Sequence, residues 1–155
     1  ARASIHNDPY QCGVIGMAES NDLYEWKSTQ PLFGGLFSQL EVTQIFKVKN
    51  KWYCLFCNHP EDWSNEFKKN YNGPNKRGTH YLIADKFEGP WNLAPGPYLT
   101  TSSEIELYAG RVIEKDNRFF FMAFLHDDLD GNFIGEISDP IPINFDTNGL
   151  MSLEV

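Results

Sequence analysis

Two of the three cysteines in this sequence form a C-x-x-C motif, which is a spacing used in zinc and redox sites. Cys54 and Cys57 lie in the aromatic and apolar segment 52–57, which predicts a β-strand. Residues three apart on a strand point to opposite faces of the sheet. No second cysteine pair and no histidine pair at ligand spacing accompanies them. Cys12 is the third cysteine. We therefore expect Cys54 and Cys57 to be buried thiols rather than metal ligands.

Two acidic segments also have spacings that suggest chemistry. Residues 127–131 (Asp-Asp-Leu-Asp-Gly) resemble the beginning of a calcium loop, but the full twelve-residue pattern with its terminal Glu is missing. Asp8 stands in an Asn-Asp-Pro sequence, which is common in turns. We expect both segments to form turns.

The carboxylate of Glu41 stands at the beginning of an apolar segment, shortly after Gly34-Gly35. The simplest interpretation is a solvated carboxylate at the end of a strand. A carboxyl group whose pKa is raised can instead donate a proton to a leaving group at neutral pH. The choice between the two interpretations depends on the elements around Glu41.

The elements that must position these residues are β-strands. No long window has a helical period, whereas short apolar segments alternate with turns rich in Asn, Asp, Gly and Pro. The polar segment 59–78 is expected to be a long loop. Pro140 and Pro142 are expected to restrict residues 141–143 to an edge or an extended segment. The expected strands are residues 13–18, 41–48, 51–58, 79–85, 107–114, 118–126 and 133–138.

The sequence contains an internal repeat, because residues 45–53 align with residues 112–120 at an offset of 67. Each hairpin is followed by a third strand, and four-stranded units with such a period are typical of β-propeller blades. A β-sandwich is the alternative. We expect an all-β, incomplete β-propeller of antiparallel four-stranded sheets, with a blade remnant at 1–33 and blades at 34–100 and 101–155. Two to three blades cannot close a ring, so either a longer protein or another chain would complete it.

Composition and charge narrow the classes of function. The chain has 155 residues, of which 41% are hydrophobic and 22% are charged, as in ordinary globular domains. The net charge of −8 has the wrong sign for attraction to nucleic acid or to an anionic membrane. No apolar run approaches the ~20 residues of a membrane-spanning helix. The chain begins without Met and without a signal-peptide pattern, which suggests an incomplete start and leaves its localisation open.

Four segments, in chain order, resemble motifs of glycoside hydrolase family 32, the β-fructosidases that include invertases, levanases and inulinases. The segments are residues 13–26 (GVIGMAESNDLYEW), 39–44 with 51–56, 107–110 (LYAG), and 135–142 with 148–150. The resemblance implies a five-bladed propeller with its active site in the central channel. It also implies hydrolysis of β-fructofuranosyl bonds in sucrose or fructans by a retaining mechanism with two carboxylates. No cofactor is implied.

The resemblance makes Glu41 the general acid/base, although Val42-Thr43 replaces the usual Cys-Pro after it. The family's nucleophile lies in an Asn-Asp-Pro-Asn-Gly motif, which Asp8 matches only in part. We do not expect Asp8 to be the nucleophile, because Tyr10-Gln11 replaces Asn-Gly and the distance to Glu41 in sequence is short. The family's Arg-Asp-Pro motif has no counterpart. This chain alone is therefore expected to be inactive.

Four residues are expected to bind the carbohydrate substrate. Tyr108 begins an inner strand whose mouth should face the channel. Glu106 precedes that strand, with Glu104 as its alternative. His59 and Trp63, in the loop after the first hairpin, should shape the rim.

His80 is expected to be an ordinary strand histidine whose hydrogen bonds are satisfied. Exposed blade faces are expected to favour self-association. Two other functions remain open: a related propeller glycosidase acting on another furanoside such as an arabinoside, and a carbohydrate-binding propeller without catalysis.

Overall fold

The computed structural model describes residues 1–3 and 7–155 and is almost entirely antiparallel β. The regular helices within this part of the chain are one short α-helix, α1 (Asn65–Asn70), and the 3₁₀ turns Pro9–Gln11 and Pro60–Asp62. None of the described helices is long and apolar enough to cross a membrane. The contacts divide the chain into two compact units: Ala1–Leu40 with Glu61–Asn70, and Glu41–Pro60 with Tyr71–Val155.

The first unit contains four strands of two residues each. Strand β1 (Val14–Ile15) is buried and pairs with β4 (Phe33–Gly34), whereas β2 (Ala18–Glu19) is exposed and pairs with β3 (Lys27–Ser28). The single strand predicted at 13–18 was therefore wrong, because its two halves pair with different partners in different sheets.

The helix α1 also belongs to the first unit. It lies inside the segment 59–78 that was predicted to be a loop, and Phe67 is its buried residue. Asp8 forms the predicted turn, because its side chain accepts a hydrogen bond from Tyr10 N at 2.9 Å and caps the 3₁₀ turn that follows.

The first sheet of the second unit has four antiparallel strands in chain order. They are β5 (Glu41–Val48), β6 (Lys51–Asn58), β7 (Gly78–Ala84) and β8 (Asn92–Leu93). Strand β6 is almost wholly buried, since its aromatic and apolar residues pack on both faces of the sheet. This hairpin and the third strand confirm the predicted order of elements.

The second sheet is built around β10 (Arg118–Asp127). The strand β9 (Leu107–Lys115) pairs along one edge of β10, and β11 (Phe133–Ile137) and β12 (Ile141–Phe145) pair along the other. Strand β13 (Met151–Leu153) completes the sheet beside β12.

The strand β12 corrects a prediction, because it lies inside the sheet rather than at its edge. Pro142 lacks a backbone donor but keeps its carbonyl, which accepts a hydrogen bond from Glu154 N at 3.1 Å. An interior strand therefore tolerates this proline.

The backbone reproduces the 67-residue repeat found in the sequence. Val42 and Ala109, which are equivalent in the repeat, both have positive φ values, of 53° and 52°. Lys49 and Asp116, in the two hairpin turns, are also equivalent and have φ values of 54° and 53°. Left-handed backbone is uncommon outside glycine, so two matched pairs indicate that the two hairpins are copies of one unit.

Both sheets of the second unit contribute to one hydrophobic core. Two tyrosine hydroxyls of this core form hydrogen bonds to the backbone at the beginning of β13. The Tyr53 hydroxyl donates to Gly149 O, and Met151 N donates to the hydroxyl of Tyr81, both at 2.8 Å. The predicted blade boundaries near residues 33 and 100, and self-association, stay predictions. The buried core consists of Tyr53, Leu55, Tyr81, Ala94, Leu99, Leu107, Val112, Phe121, Ala123, Ile143, Met151 and Leu153.

Candidate functional site

Glu41 is the first residue of β5 and lies half-buried beside a β-bulge. Its partner across the sheet is Cys57, and the register shifts between Glu41 and Gln44. The left-handed residue Val42 forms this bulge. A bulge bends its strand and redirects the side chains next to it, and bulges are frequent near active sites.

Tyr108 occupies the equivalent place in the second sheet, one residue before the left-handed Ala109. The register of β9 and β10 shifts here as well. Gly110 follows, and a Cβ at this position would collide with the ring of Phe121 and with Thr79 Oγ1. Glycine is therefore required for the bulge to pack against the core.

The two bulges bring the side chains of Glu41 and Tyr108 together. The Tyr108 hydroxyl donates a hydrogen bond to Glu41 Oε2 at 2.6 Å. The ring of His59 packs against the same tyrosine, with its centroid 5.1 Å from that of Tyr108. Three of the five residues predicted from sequence thus form one cluster in the second unit.

Comparison with solved structures identifies the fold. The inulosucrase from Halalkalicoccus jeotgali bound to kestose matches 97% of this chain with a TM-score of 0.74 and 17% sequence identity. A Bacillus subtilis levansucrase and a B. megaterium levansucrase mutant each match 90% of it, with TM-scores of 0.62 and 0.64 and 15% identity. The chain is part of a β-propeller.

This likeness confirms the β-propeller fold that was predicted from the 67-residue repeat. The chain spans 42% of the length of the inulosucrase and 33% of that of the levansucrases. No family model matches the chain, and no curated protein matches it in sequence. The neighbours are an inulosucrase and levansucrases, so the finer assignment to family 32 stays a prediction.

Glu106 lies near the start of the same propeller strand as Tyr108, but its carboxylate is held by an arginine. Arg77 contacts Glu106 Oε2 at 2.5 Å and Asp127 Oδ2 at 2.8 Å. His126 Nδ1 in turn lies 2.8 Å from Asp127 Oδ1. Arg77 lies in the segment 59–78 that was predicted to be a loop, and its side chain is only 20% exposed. Glu104 is exposed.

Trp63 belongs to the first unit and is 3% exposed. Its ring packs edge-on against Phe67 at 5.2 Å, and Phe67 also contacts Phe37. This burial does not support the prediction that Trp63 shapes the rim of the site, because the ring is used in packing.

The C-x-x-C motif consists of buried thiols, as predicted. Cys54 and Cys57 form no disulfide, and burial raises the pKa of Cys54 to about 12. Burial also raises the pKa of Cys57, whose Sγ lies 3.2 Å from Thr79 Oγ1. Among residues 1–3 and 7–155, no group of three or more His, Cys, Asp or Glu side chains is arranged to hold a metal ion.

The acidic segment after β10 is a turn, as predicted. Asp128 Oδ1 accepts hydrogen bonds from Asp130 N at 2.9 Å and Asn132 N at 2.8 Å. Hydrogen bonds from the backbone amide of Asn132 and, to a smaller extent, from its side-chain amide lower the pKa of Asp128. The carboxylate therefore serves as an internal cap of this turn.

His80 lies in the core of the propeller sheet, 1% exposed and stacked on Tyr98 at 4.8 Å. One ring nitrogen, Nε2, bonds to Ala94 O at 3.0 Å. The other, Nδ1, has no hydrogen-bond partner, so the prediction of a satisfied histidine holds for one nitrogen only. Desolvation lowers the pKa of His80 to about 4.

Proposed function

We propose that the protein containing this chain cleaves fructosyl bonds of sucrose or fructans, with Glu41 as its general acid/base. The observation that carries this proposal is the hydrogen bond from Tyr108 to Glu41, made where two bulged inner strands of a propeller begin. The likeness to an inulosucrase bound to kestose and to a levansucrase complexed with sucrose supports the substrate class.

The chemistry requires a group that protonates the glycosidic oxygen as its bond to the sugar breaks. Tyr108 occupies Oε2 of Glu41, so we assign the transferable proton to Oε1. A second carboxylate, ~5–5.5 Å away on the opposite side of the bond, would act as nucleophile in a retaining mechanism. We assign that carboxylate to a part of the protein beyond this chain, since Asp8 caps a turn.

Once the fructosyl group is bound to the nucleophile, water or a second sugar can accept it. The structural neighbours include an inulosucrase bound to kestose and a levansucrase complexed with sucrose, which favours transfer to a sugar as a second candidate outcome beside hydrolysis. The two outcomes share the same first step and the same role for Glu41.

The test is incubation of the full-length protein with sucrose, with free glucose and free fructose both measured. Equal amounts of the two sugars indicate hydrolysis. An excess of glucose together with longer fructans indicates transfer. Release of neither sugar from sucrose, inulin or levan would contradict the proposal.

Two alternatives give different results in the same experiment. A glycosidase specific for another furanoside would cleave an aryl arabinofuranoside faster than the aryl fructofuranoside. A carbohydrate-binding propeller without catalysis would bind fructan, measured by calorimetry, without releasing sugar from any substrate.

A further inference from the structure

The inner strands β5 and β9 belong to different sheets, and the side chain of Gln44 joins them. Gln44 Nε2 donates a hydrogen bond to Val112 O at 2.8 Å. Val112 N donates a hydrogen bond to Gln44 Oε1, also at 2.8 Å. The amide of Gln44 thus satisfies both backbone groups of Val112, as a paired strand residue would.

Arg111 makes the corresponding connection in the opposite direction. Its Nη1 donates to Val42 O at 2.5 Å and to Gly110 O at 3.2 Å. Gln44 and Arg111 are equivalent positions of the 67-residue repeat. Each therefore reaches from its own inner strand to the backbone of the other, which makes a reciprocal clamp.

Both halves of this clamp end at the bulges that carry the candidate site. Gln44 is the residue at which regular pairing of β5 resumes after the bulge that follows Glu41. Val42, whose carbonyl Arg111 holds, is the left-handed residue of that bulge. Arg111 itself follows the bulge next to Tyr108. The clamp thus fixes the relative position of the two bulges.

We propose that Gln44 and Arg111 are positioning residues that hold Glu41 and Tyr108 within hydrogen-bonding distance for proton transfer. This proposal rests on the proposed function of Glu41. A hydrogen bond of 2.6 Å is lost when its strands shift by about an ångström, and a displacement of that size costs on the order of 10²-fold in rate.

The kinetic test uses the full-length protein with Gln44→Ala and Arg111→Ala. We expect kcat on sucrose to fall roughly ten- to hundredfold with little change in KM, since the clamp acts on the chemical step. An aryl fructofuranoside with an activated leaving group should lose less, because its departure needs little protonation. Gln44→Glu keeps the acceptor for Val112 N but loses the donor, so its loss should be intermediate.

A double-mutant cycle separates positioning from general destabilisation. If Gln44 acts through Tyr108, the double variant Gln44→Ala/Tyr108→Phe should have a kcat on sucrose little lower than that of Tyr108→Phe alone. The matched control is Asn144→Ala, which removes an exposed amide that donates to Glu154 Oε1. This variant should leave the rates on both substrates unchanged. The proposal would be overturned if the losses of kcat from Gln44→Ala and Tyr108→Phe multiplied in the double variant. It would also be overturned if the rates on both substrates fell equally.

A second measurement does not depend on turnover. The ¹³Cζ signal of Tyr108, assigned by its loss in Tyr108→Phe, reports the hydrogen bond of its hydroxyl. This signal should move in Gln44→Ala and Arg111→Ala and stay fixed in Asn144→Ala. An unchanged signal in both clamp variants would contradict positioning even in an active enzyme. If the signal moves in a protein without turnover, the clamp stands and the proposed function fails.

Discussion

Lowering the pH from 7 to 5 tests the burial of His80. Desolvation lowers the pKa of His80 to about 4 in the folded protein, against 6.5 for the ordinary group. The folded state therefore requires the neutral ring, and the stability linked to this group is present above pH 6.5. It is lost progressively as the pH falls toward 4.

The size of the effect follows from the two pKa values. At pH 5 the unfolded chain binds a proton at His80 and the folded chain does not. With 1.36 kcal/mol for each pKa unit, the free energy of unfolding falls by about 2 kcal/mol between pH 7 and pH 5. Because the ring is fully buried, solvent screening does not reduce this figure.

The assay is urea denaturation of the wild type and of His80→Gln at both pH values. Glutamine does not titrate, and its amide can still donate to Ala94 O. The variant should lose about 2 kcal/mol less than the wild type over this pH interval, whatever its stability at pH 7. The acidic groups titrate in both proteins and cancel in the comparison. Equal losses in the two proteins would refute the burial of a neutral histidine.

Two further predictions concern the packing beside the candidate site. Gly110→Ala places a methyl group against the ring of Phe121. Urea denaturation should therefore show a free energy of unfolding lower by about 1–3 kcal/mol. Unchanged stability would contradict the bulge geometry. The Cys54 thiol, whose pKa burial raises to about 12, should react with a thiol reagent only after denaturation. Rapid labelling of Cys54 in the native protein would show that this strand is not buried.

Local patterns were sufficient to predict most of the strands and the repeat. The two hairpins are visible in sequence because apolar residues and turn residues alternate over short distances. Glu41 was predicted from the resemblance to family 32, and Tyr108 from its place at the start of an inner strand expected to face the channel. Their mutual hydrogen bond depends on the left-handed residues Val42 and Ala109, and neither residue type favours that backbone. Sequence propensity could not have indicated it.

The interactions that sequence reasoning missed are non-local. Arg77 is 29 residues from Glu106 and 50 residues from Asp127, so no short pattern links the three charges. Gln44 and Val112 are 68 residues apart and meet only when the two sheets pack. The helix α1 is six residues long with a single buried side chain, which is too short for a helical period to be visible.

The assignment of Glu41 as general acid/base is tested most directly by Glu41→Gln in the full-length protein, with Glu136→Gln as an exposed control. The rate on sucrose should fall ~10²–10⁴-fold, the range typical of general acid–base catalysis. The rate on an aryl fructofuranoside with an activated leaving group should fall much less, and the control should match the wild type on both. Equal losses on the two substrates, or no loss on sucrose, would contradict the assignment.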